Sequence, residues 1–221
     1  MQNRKASLGA AAVLMTLSLL CSAQNGKVES VGPLTESAVS EQVRQSLEPE
    51  GYRLTLDDPK PSCELWLRKS VPVQANKSTE LVYPQFAEST LLGVIHFPQA
   101  ATDFRGHSIP AGFYTMRYEL LPDDGNHLGV APNRDFVLLV PAQSDPDANA
   151  TFKFQELVNM SAKTAGTKHP SPLSLPPPAE KQVSGTVNRD DQDHWIFYAS
   201  LKLTPGDELP FALIVKGTAQ Q

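Results

Sequence analysis

The chain has 221 residues, a formal net charge of −5 and only two cysteines. A mildly acidic surface lacks the basic patch that nucleic-acid phosphates require, so the composition argues against a nucleic-acid partner. Two cysteines are too few for a scaffold built on disulfides, so the fold has to be stabilised by a hydrophobic core.

The first 23 residues predict a secretory signal peptide. Arg4 and Lys5 precede an apolar run over residues 8–20, and Cys21-Ser22-Ala23 supplies small side chains ahead of the cleavage site. The apolar run is shorter than a stable membrane anchor, and no later stretch approaches the ~18 apolar residues of a transmembrane helix. We therefore expect an exported protein, periplasmic or extracellular, that begins near Gln24. Loss of the two basic residues of the leader lowers its net charge from −5 to −7.

Neither cysteine predicts a disulfide in the mature chain, because Cys21 leaves with the leader and Cys63 remains alone. A lipid anchor on Cys21 is the alternative. It is less favoured, because a lipoprotein signal needs a small residue before the cysteine and Leu20 stands there. Cys63 alternates with Leu65 and Leu67, which is typical of a buried strand face, so we expect a buried side chain rather than a nucleophile.

The first predicted elements are a flexible lead-in over residues 24–34 and a helix over residues 36–47. Thr35 is the predicted N-cap of this helix, and Pro49 and Gly51 end it. The apolar side chains of the helix fall at i, i+4 and i+8, which places them on one face: Val39, Val43 and Leu47.

Seven short strands are predicted after this helix, because alternating or wholly apolar runs are separated by turns rich in Gly, Pro and Asp. They cover residues 52–56, 63–73, 90–97, 113–120, 136–140, 195–203 and 210–215. The strands over 90–97 and 136–140 are largely apolar on both faces, so we expect them at the centre of a sheet.

The strand over 113–120 has two different faces. Tyr114 and Tyr118 share one face with Met116, which favours a core over an aromatic binding platform. Arg117 and Glu119 share the opposite face, which we predict to be solvated, with the two side chains paired to each other or to neighbouring strands.

A second helix is predicted over residues 154–163, packed on a sheet edge or end, with Gly166 as its C-cap. The stretch 169–178 contains five prolines and predicts an extended connector. The strands after it are too few for a separate domain, so we expect them to pair back into the first sheet. The prediction is one β-rich domain over 35–221, an antiparallel β-sandwich with one or two short helices. A jelly roll fits equally well, and the strand order stays open.

Polar side chains are densest between residues 103 and 135. Six of them are the candidate ligand-binding residues: Arg105, His107, Asp123, Asn126, His127 and Arg134. They lie in two loops that flank the strand over 113–120 at its opposite ends. This placement gives no reason to expect that His107 and His127 act together.

The second loop also contains three candidate metal ligands, Asp123, Asp124 and His127, because calcium binds closely spaced oxygen donors. The loop lacks the spacing of an EF-hand, and the chain has no zinc-binding pattern. A plain turn around Gly125 is favoured, since Asp-Gly and Gly-Asn pairs form turns without a ligand. No cofactor and no catalytic residue is therefore predicted, beyond this one candidate metal position.

The run Ile109-Pro110-Ala111-Gly112-Phe113-Tyr114-Thr115 resembles a turn-and-strand motif of exported bacterial proteins of unknown function. Residues 103–136 and, more loosely, residues 161–170 resemble the same group, so the match covers roughly the middle third of the chain. The resemblance implies export and a β-rich domain, and it implies no activity and no catalytic residues.

Three functions stay open at this point. The leading hypothesis is non-catalytic binding of a small molecule, a glycan or a partner protein through the six candidate residues. The first alternative is a hydrolase or metal-dependent enzyme that uses His127 with Asp123 or Asp124. The second alternative is a structural component of the cell envelope with a fixed protein partner.

Overall fold

The computed structural model describes residues 26–75, 78–123, 133–179 and 181–219. These residues form two β-sheets that share one core, with two α-helices on the outside, which confirms the predicted mostly β, antiparallel sandwich. The predicted signal peptide lies outside the described residues. None of the helices in the described part of the chain has the length and apolar character that a membrane crossing needs.

Thirteen strands lie in the described part of the chain. In chain order they are β1 (Lys27–Val31), β2 (Gly51–Thr55), β3 (Cys63–Leu67), β4 (Val71–Pro72), β5 (Leu91–Phe97), β6 (Ala101–Thr102), β7 (Ser108–Ile109), β8 (Gly112–Leu120), β9 (Asp135–Pro141), β10 (Pro172–Ser174), β11 (Thr186–Arg189), β12 (Trp195–Thr204) and β13 (Glu208–Lys216). The α-helices are α1 (Glu41–Ser46) and α2 (Phe154–Ala165), and one 3₁₀ turn follows β9 at Ala142–Ser144.

The larger sheet has seven strands in the order β1-β2-β3-β5-β8-β9-β10, and all neighbours are antiparallel. The smaller sheet contains β11, β12 and β13 in antiparallel order, with β4 parallel to the end of β12. The expectation that the last strands pair back into the first sheet was therefore wrong. They build the second layer instead and bury their apolar face against the first sheet. The short strands β6 and β7 form a separate hairpin.

The predicted strand over 63–73 was wrong, because it is two strands in different sheets. β3 ends at Leu67, and the chain then crosses to the smaller sheet, where Val71 pairs with Leu203. Between them Arg68 donates from its guanidinium to the carbonyl oxygen of Ala148 at 3.1 Å. The crossing is marked in the sequence by the polar run Arg68-Lys69-Ser70, which interrupts the apolar alternation between Leu67 and Val71.

Several short strands were not predicted at all. β1 lies in the predicted lead-in and pairs with β2, and β10 lies in the predicted connector and pairs with β9. Both are edge strands, which tolerate polar residues and proline, so their period-two signal is weak. The pattern also missed β6, β7 and β11.

α1 begins later than predicted. Its N-cap is Ser40 rather than Thr35, and the Ser40 hydroxyl accepts a hydrogen bond from the backbone N–H of Val43 at 3.2 Å. That hydroxyl satisfies a donor that the start of a helix leaves without an intrahelical partner. The predicted apolar face is confirmed, because Val39, Val43 and Leu47 are buried.

α2 confirms the second predicted helix and its C-cap, since Gly166 adopts the left-handed conformation with a φ of 63°. The helix packs on the outer face of β9, where Leu157 clusters with Leu138 and Val140, and not at a sheet edge or end as expected. Phe154, predicted on the buried face, is exposed.

The main core lies between the two sheets. Leu65 and Met116 enter it from the larger sheet, and Phe197 and Leu213 enter it from the smaller sheet. Full burial of one such side chain contributes about 1.5–3 kcal/mol to folding. The two aromatic residues considered for a platform, Tyr114 and Tyr118, are buried, as are Trp195 and Tyr198. The preference for a core over a platform is confirmed.

The outer face of β8 was predicted to be solvated, and this prediction was wrong. Arg117 is 0% exposed and Glu119 is 2% exposed. The segment after β9 covers Arg117, because the backbone carbonyls of Asp147 and Ala150 both accept hydrogen bonds from its guanidinium at 2.7 Å. Asp145 supplies the opposite charge, so Arg117 pairs with this loop and not with Glu119.

Candidate functional site

A cleft opens where β8 begins, between the turn before β8, the segment after β9 and the last turn of α2. Its volume is about 310 Å³, which lies at the lower end of the roughly 300–1,000 Å³ that small-ligand pockets occupy. Residues from all three segments line it, among them Pro110, Phe113, Ala142, Gln143, Lys163 and Thr164.

The turn before β8 forms a fixed wall of this cleft. Gly112 has a φ of 153°, which residues with a side chain rarely adopt, so the turn requires glycine there. The hydroxyl of Tyr114 donates to the carbonyl oxygen of Pro110 at 2.8 Å and ties the turn to the strand. A wall that is rigid before binding reduces the ordering cost that a ligand has to offset.

The end of α2 forms the opposite wall. Thr164 is buried, and its hydroxyl donates to the carbonyl oxygen of Leu139 at 2.8 Å, which fixes the last turn of the helix on β9. Lys163, the preceding residue, is exposed, and among the described residues that line the cleft it is the only one with a charge.

Phe113 connects the cleft to a polar row across the larger sheet. Its ring stacks on the imidazole of His96, with the ring centres 4.0 Å apart and the planes within 5° of each other. His96 Nδ1 lies 3.0 Å from Glu64, which also binds Arg53 at 2.7 Å. Burial alone would raise the pKa of Glu64, but the hydrogen bonds from His96 and Arg53 outweigh it and hold that pKa below its ordinary value. The polar row of His96, Glu64 and Arg53 therefore holds the Phe113 ring from the β5 side of β8, away from α2.

Two of the six candidate residues, Arg105 and His107, lie in the loop of the β6–β7 hairpin and not among the residues that line the cleft. The hairpin folds back along the larger sheet, since Phe104 donates its backbone N–H to the Pro172 carbonyl at 2.8 Å. The Phe104 ring also lies 6.2 Å from the ring of Phe136. The first loop therefore reaches the start of β9, which its position at the other end of β8 did not suggest.

Buried Asp103 builds this loop. Its Oδ1 accepts the backbone N–H groups of Arg105 and His107, each at 2.9 Å, and its Oδ2 lies 3.4 Å from His107 Nδ1. The same turn recurs at Asp190–His194, where Asp190 accepts the N–H groups of Gln192 and His194. Asp-x-x-x-His is therefore a turn motif in this fold, and its occurrence at both places is visible in the sequence.

His169 is a neighbour of His107 that the candidate set did not contain. The two imidazole rings are parallel within 5°, with their centres 6.5 Å apart. His169 lies in the predicted connector and in the stretch 161–170 that carries part of the resemblance, which is the only sequence signal that could have suggested it.

The second loop is only partly described. Arg134 lies 3.9 Å from Asp123, and the Asp123 side chain is largely exposed. The candidates Asp124, Asn126 and His127 lie outside the described residues, so the metal and enzyme hypotheses for this loop stay predictions. Within the described ranges, no group of three or more His, Cys, Asp and Glu side chains is placed to hold a metal ion.

Glu119 is buried, although the alternation of residues in its strand predicted a solvated face. Its Oε1 accepts the backbone N–H of Leu120 at 3.0 Å, and its Oε2 is buried without an N–H donor among the described residues, near the carboxyl of Glu88. Burial, together with the nearby carboxyl of Glu88, raises the pKa of Glu119 to about 8. Cys63 is buried as predicted, and burial raises the pKa of its thiol.

Comparison with known proteins finds no matching family model, no similar curated protein and no similar solved structure.

Proposed function

We propose that the mature chain is an exported, non-catalytic binding protein whose cleft holds a small molecule or glycan with one anionic group. One observation carries this proposal: Lys163 is the only charge among the described lining residues of a cleft lined otherwise by apolar side chains and by Gln143 and Thr164. Apolar side chains combined with a few placed polar groups are the usual composition of small-ligand sites.

The side chains around the cleft suit an acidic sugar. The apolar face of a sugar ring can pack on the ring of Phe113 and on Pro110, and the Lys163 ammonium can donate to a carboxylate in a charge-assisted hydrogen bond. Gln143 is exposed, and its amide both donates and accepts, which suits the hydroxyl groups of a sugar.

The experiment measures binding of glucuronate and glucose to the mature chain by saturation-transfer NMR and titration calorimetry. These two sugars share a ring and differ in one carboxylate, so the proposal predicts binding of glucuronate and weaker binding of glucose. Lys163→Glu should weaken glucuronate binding by about tenfold or more, because an attractive charge becomes a repulsive one.

Lys153→Glu is the matched control. Lys153 is the N-cap residue of the same helix, is exposed and does not line the cleft, so this variant should bind glucuronate as the unchanged protein does. Equal loss in both variants would contradict a specific role for Lys163. Equal binding of the two sugars would contradict an anionic ligand.

The two alternative functions have their own tests. Purification of the mature chain with one fixed protein partner and no small ligand would favour the envelope-component hypothesis. A stoichiometric metal that is lost in His127→Ala, together with hydrolytic activity, would favour the enzyme hypothesis for residues 123–127.

A further inference from the structure

The histidine pair at the tip of the β6–β7 hairpin has the features of a ligand set. His107 and His169 come from segments 62 residues apart in sequence, and their rings lie parallel within 5° with centres 6.5 Å apart. The His107 side chain is 33% exposed, and His169 is exposed as well, so both imidazoles are open to solvent.

The tautomer of His107 is biased by the buried Asp103. With Oδ2 of Asp103 3.4 Å from Nδ1, the proton of the neutral ring is favoured on Nδ1, and the lone pair is left on Nε2. A carboxylate behind a histidine is the arrangement that orients metal-binding imidazoles and raises their basicity. The Asp103 side chain is 0% exposed, so it supports the ring without competing for the ion.

The backbone at His169 is also held in place. The hydroxyl of Thr167 accepts the N–H of His169 at 3.1 Å and donates to its carbonyl oxygen at 2.8 Å. This hydrogen-bonded loop directly follows the left-handed C-cap at Gly166, so the backbone position of His169 is fixed relative to the end of α2.

Rotation of the two exposed side chains can bring both rings onto one shared ion. A ring nitrogen lies about 1.1 Å from the ring centre and a zinc–nitrogen bond is about 2.0–2.1 Å, so two rings on one tetrahedral ion have centres about 5 Å apart. The observed 6.5 Å is longer than this, so both exposed side chains have to rotate toward a common point when the ion binds.

We propose that His107 and His169 together bind one divalent transition-metal ion of the class that prefers imidazole, with water completing its coordination. Among such ions Cu²⁺ should bind more tightly than Zn²⁺, as the general order of affinities for nitrogen ligands requires. This site is separate from the cleft, and it does not depend on the proposed function.

The test titrates CuCl₂ and ZnCl₂ into the full mature chain at pH 7.5 by calorimetry, with electron paramagnetic resonance of the copper form. We expect one equivalent of Cu²⁺ bound through two nitrogen ligands. His107→Ala and His169→Ala should each weaken Cu²⁺ binding by about tenfold or more and leave one nitrogen ligand.

Lys168→Ala is the matched control, because it changes the neighbour of His169 and removes a positive charge without removing a ligand; it should bind Cu²⁺ at least as tightly. His127→Ala separates this site from the candidate ligands at 123–127 and should have no effect. His107→Gln serves in place of His107→Ala if that variant shows a changed circular dichroism spectrum. Absence of Cu²⁺ binding, unchanged binding in both histidine variants, or loss confined to His127→Ala would overturn the proposal.

Discussion

Arg117 and Asp145 form a two-pronged ion pair in which both side chains are 0% exposed, with the guanidinium Nε 2.8 Å from one carboxylate oxygen and Nη2 2.7 Å from the other. The pair joins the middle of β8 to the segment that follows β9. That segment also provides Gln143 to the cleft, so the ion pair supports this part of the cleft lining.

Loss of this pair should strongly destabilise the fold. Asp145→Asn leaves a buried guanidinium without its counter-charge, and breaking a buried pair in this way costs about 3–5 kcal/mol. Urea denaturation followed by circular dichroism measures the free energy of unfolding. Lys27→Ala is the control, because it breaks the exposed pair with Glu29 and should cost at most about 1 kcal/mol. Similar losses in the two variants would contradict the importance assigned to the buried pair.

Stability should fall as the pH rises, because of Glu119. Its pKa is raised from 4.5 to about 8 in the folded chain, so the folded state binds more protons than the unfolded state between these values. The contribution is complete below about pH 4.5, decreases up to about pH 8 and then levels off, and it amounts to on the order of 5 kcal/mol.

Glu119→Gln should remove this part of the pH dependence and be more stable than the unchanged protein at pH 8.5. Thermal and urea denaturation between pH 5 and pH 9 measure the effect. The exposed Glu80→Gln is the control and should leave the slope as it is. If Glu119→Gln leaves the pH dependence of the free energy of unfolding unchanged, another group causes that dependence.

The start of α1 can be checked with a pair of variants. Ser40→Ala should cost about 1 kcal/mol of stability, because the hydrogen bond to the Val43 N–H is lost. Thr35→Ala should be close to neutral, since Thr35 is exposed and is not the N-cap. A larger loss of stability in Thr35→Ala than in Ser40→Ala, measured by urea denaturation, would support the longer helix capped by Thr35 that the sequence pattern predicts.

Cys63 should react only when the chain unfolds. Its side chain is 1% exposed, and burial raises the pKa of its thiol, so the reactive thiolate is scarce in the folded state. Labelling with a thiol reagent at pH 8 should be negligible in buffer and complete in 6 M guanidinium, on the scale of minutes. Rapid labelling of the folded chain would contradict this burial.

The elements that could be predicted from the sequence are those whose pattern is local. The alternation of Tyr114, Met116 and Tyr118 marks the core face of β8, and Gly166 marks the end of α2, because each signal needs no distant partner. The burial of Arg117 could not be predicted in the same way. Its partner Asp145 lies 28 residues away in a loop, and no periodicity connects the two.

The cleft, too, could be predicted from the sequence only in part. Pro110 and Gly112 are visible in the sequence as a turn, but Lys163 joins them only because α2 packs on the outer face of β9. The hairpin of Arg105 and His107 was expected at one end of β8, and the hydrogen bond from Phe104 to Pro172 carries it back along the sheet. Local turn patterns in the sequence do not predict this contact between the hairpin and Pro172.

We propose above that the cleft between the Pro110–Gly112 turn and α2 binds an anionic ligand. An ¹H–¹⁵N NMR titration of residues 24–221 with glucuronate tests this most directly. We expect the shifted signals to cluster at Gly112, Phe113, Gln143 and Lys163, and we expect Lys163→Glu to need about tenfold or more glucuronate for the same shifts. Shifts that cluster elsewhere, or no shifts at millimolar glucuronate, would contradict it.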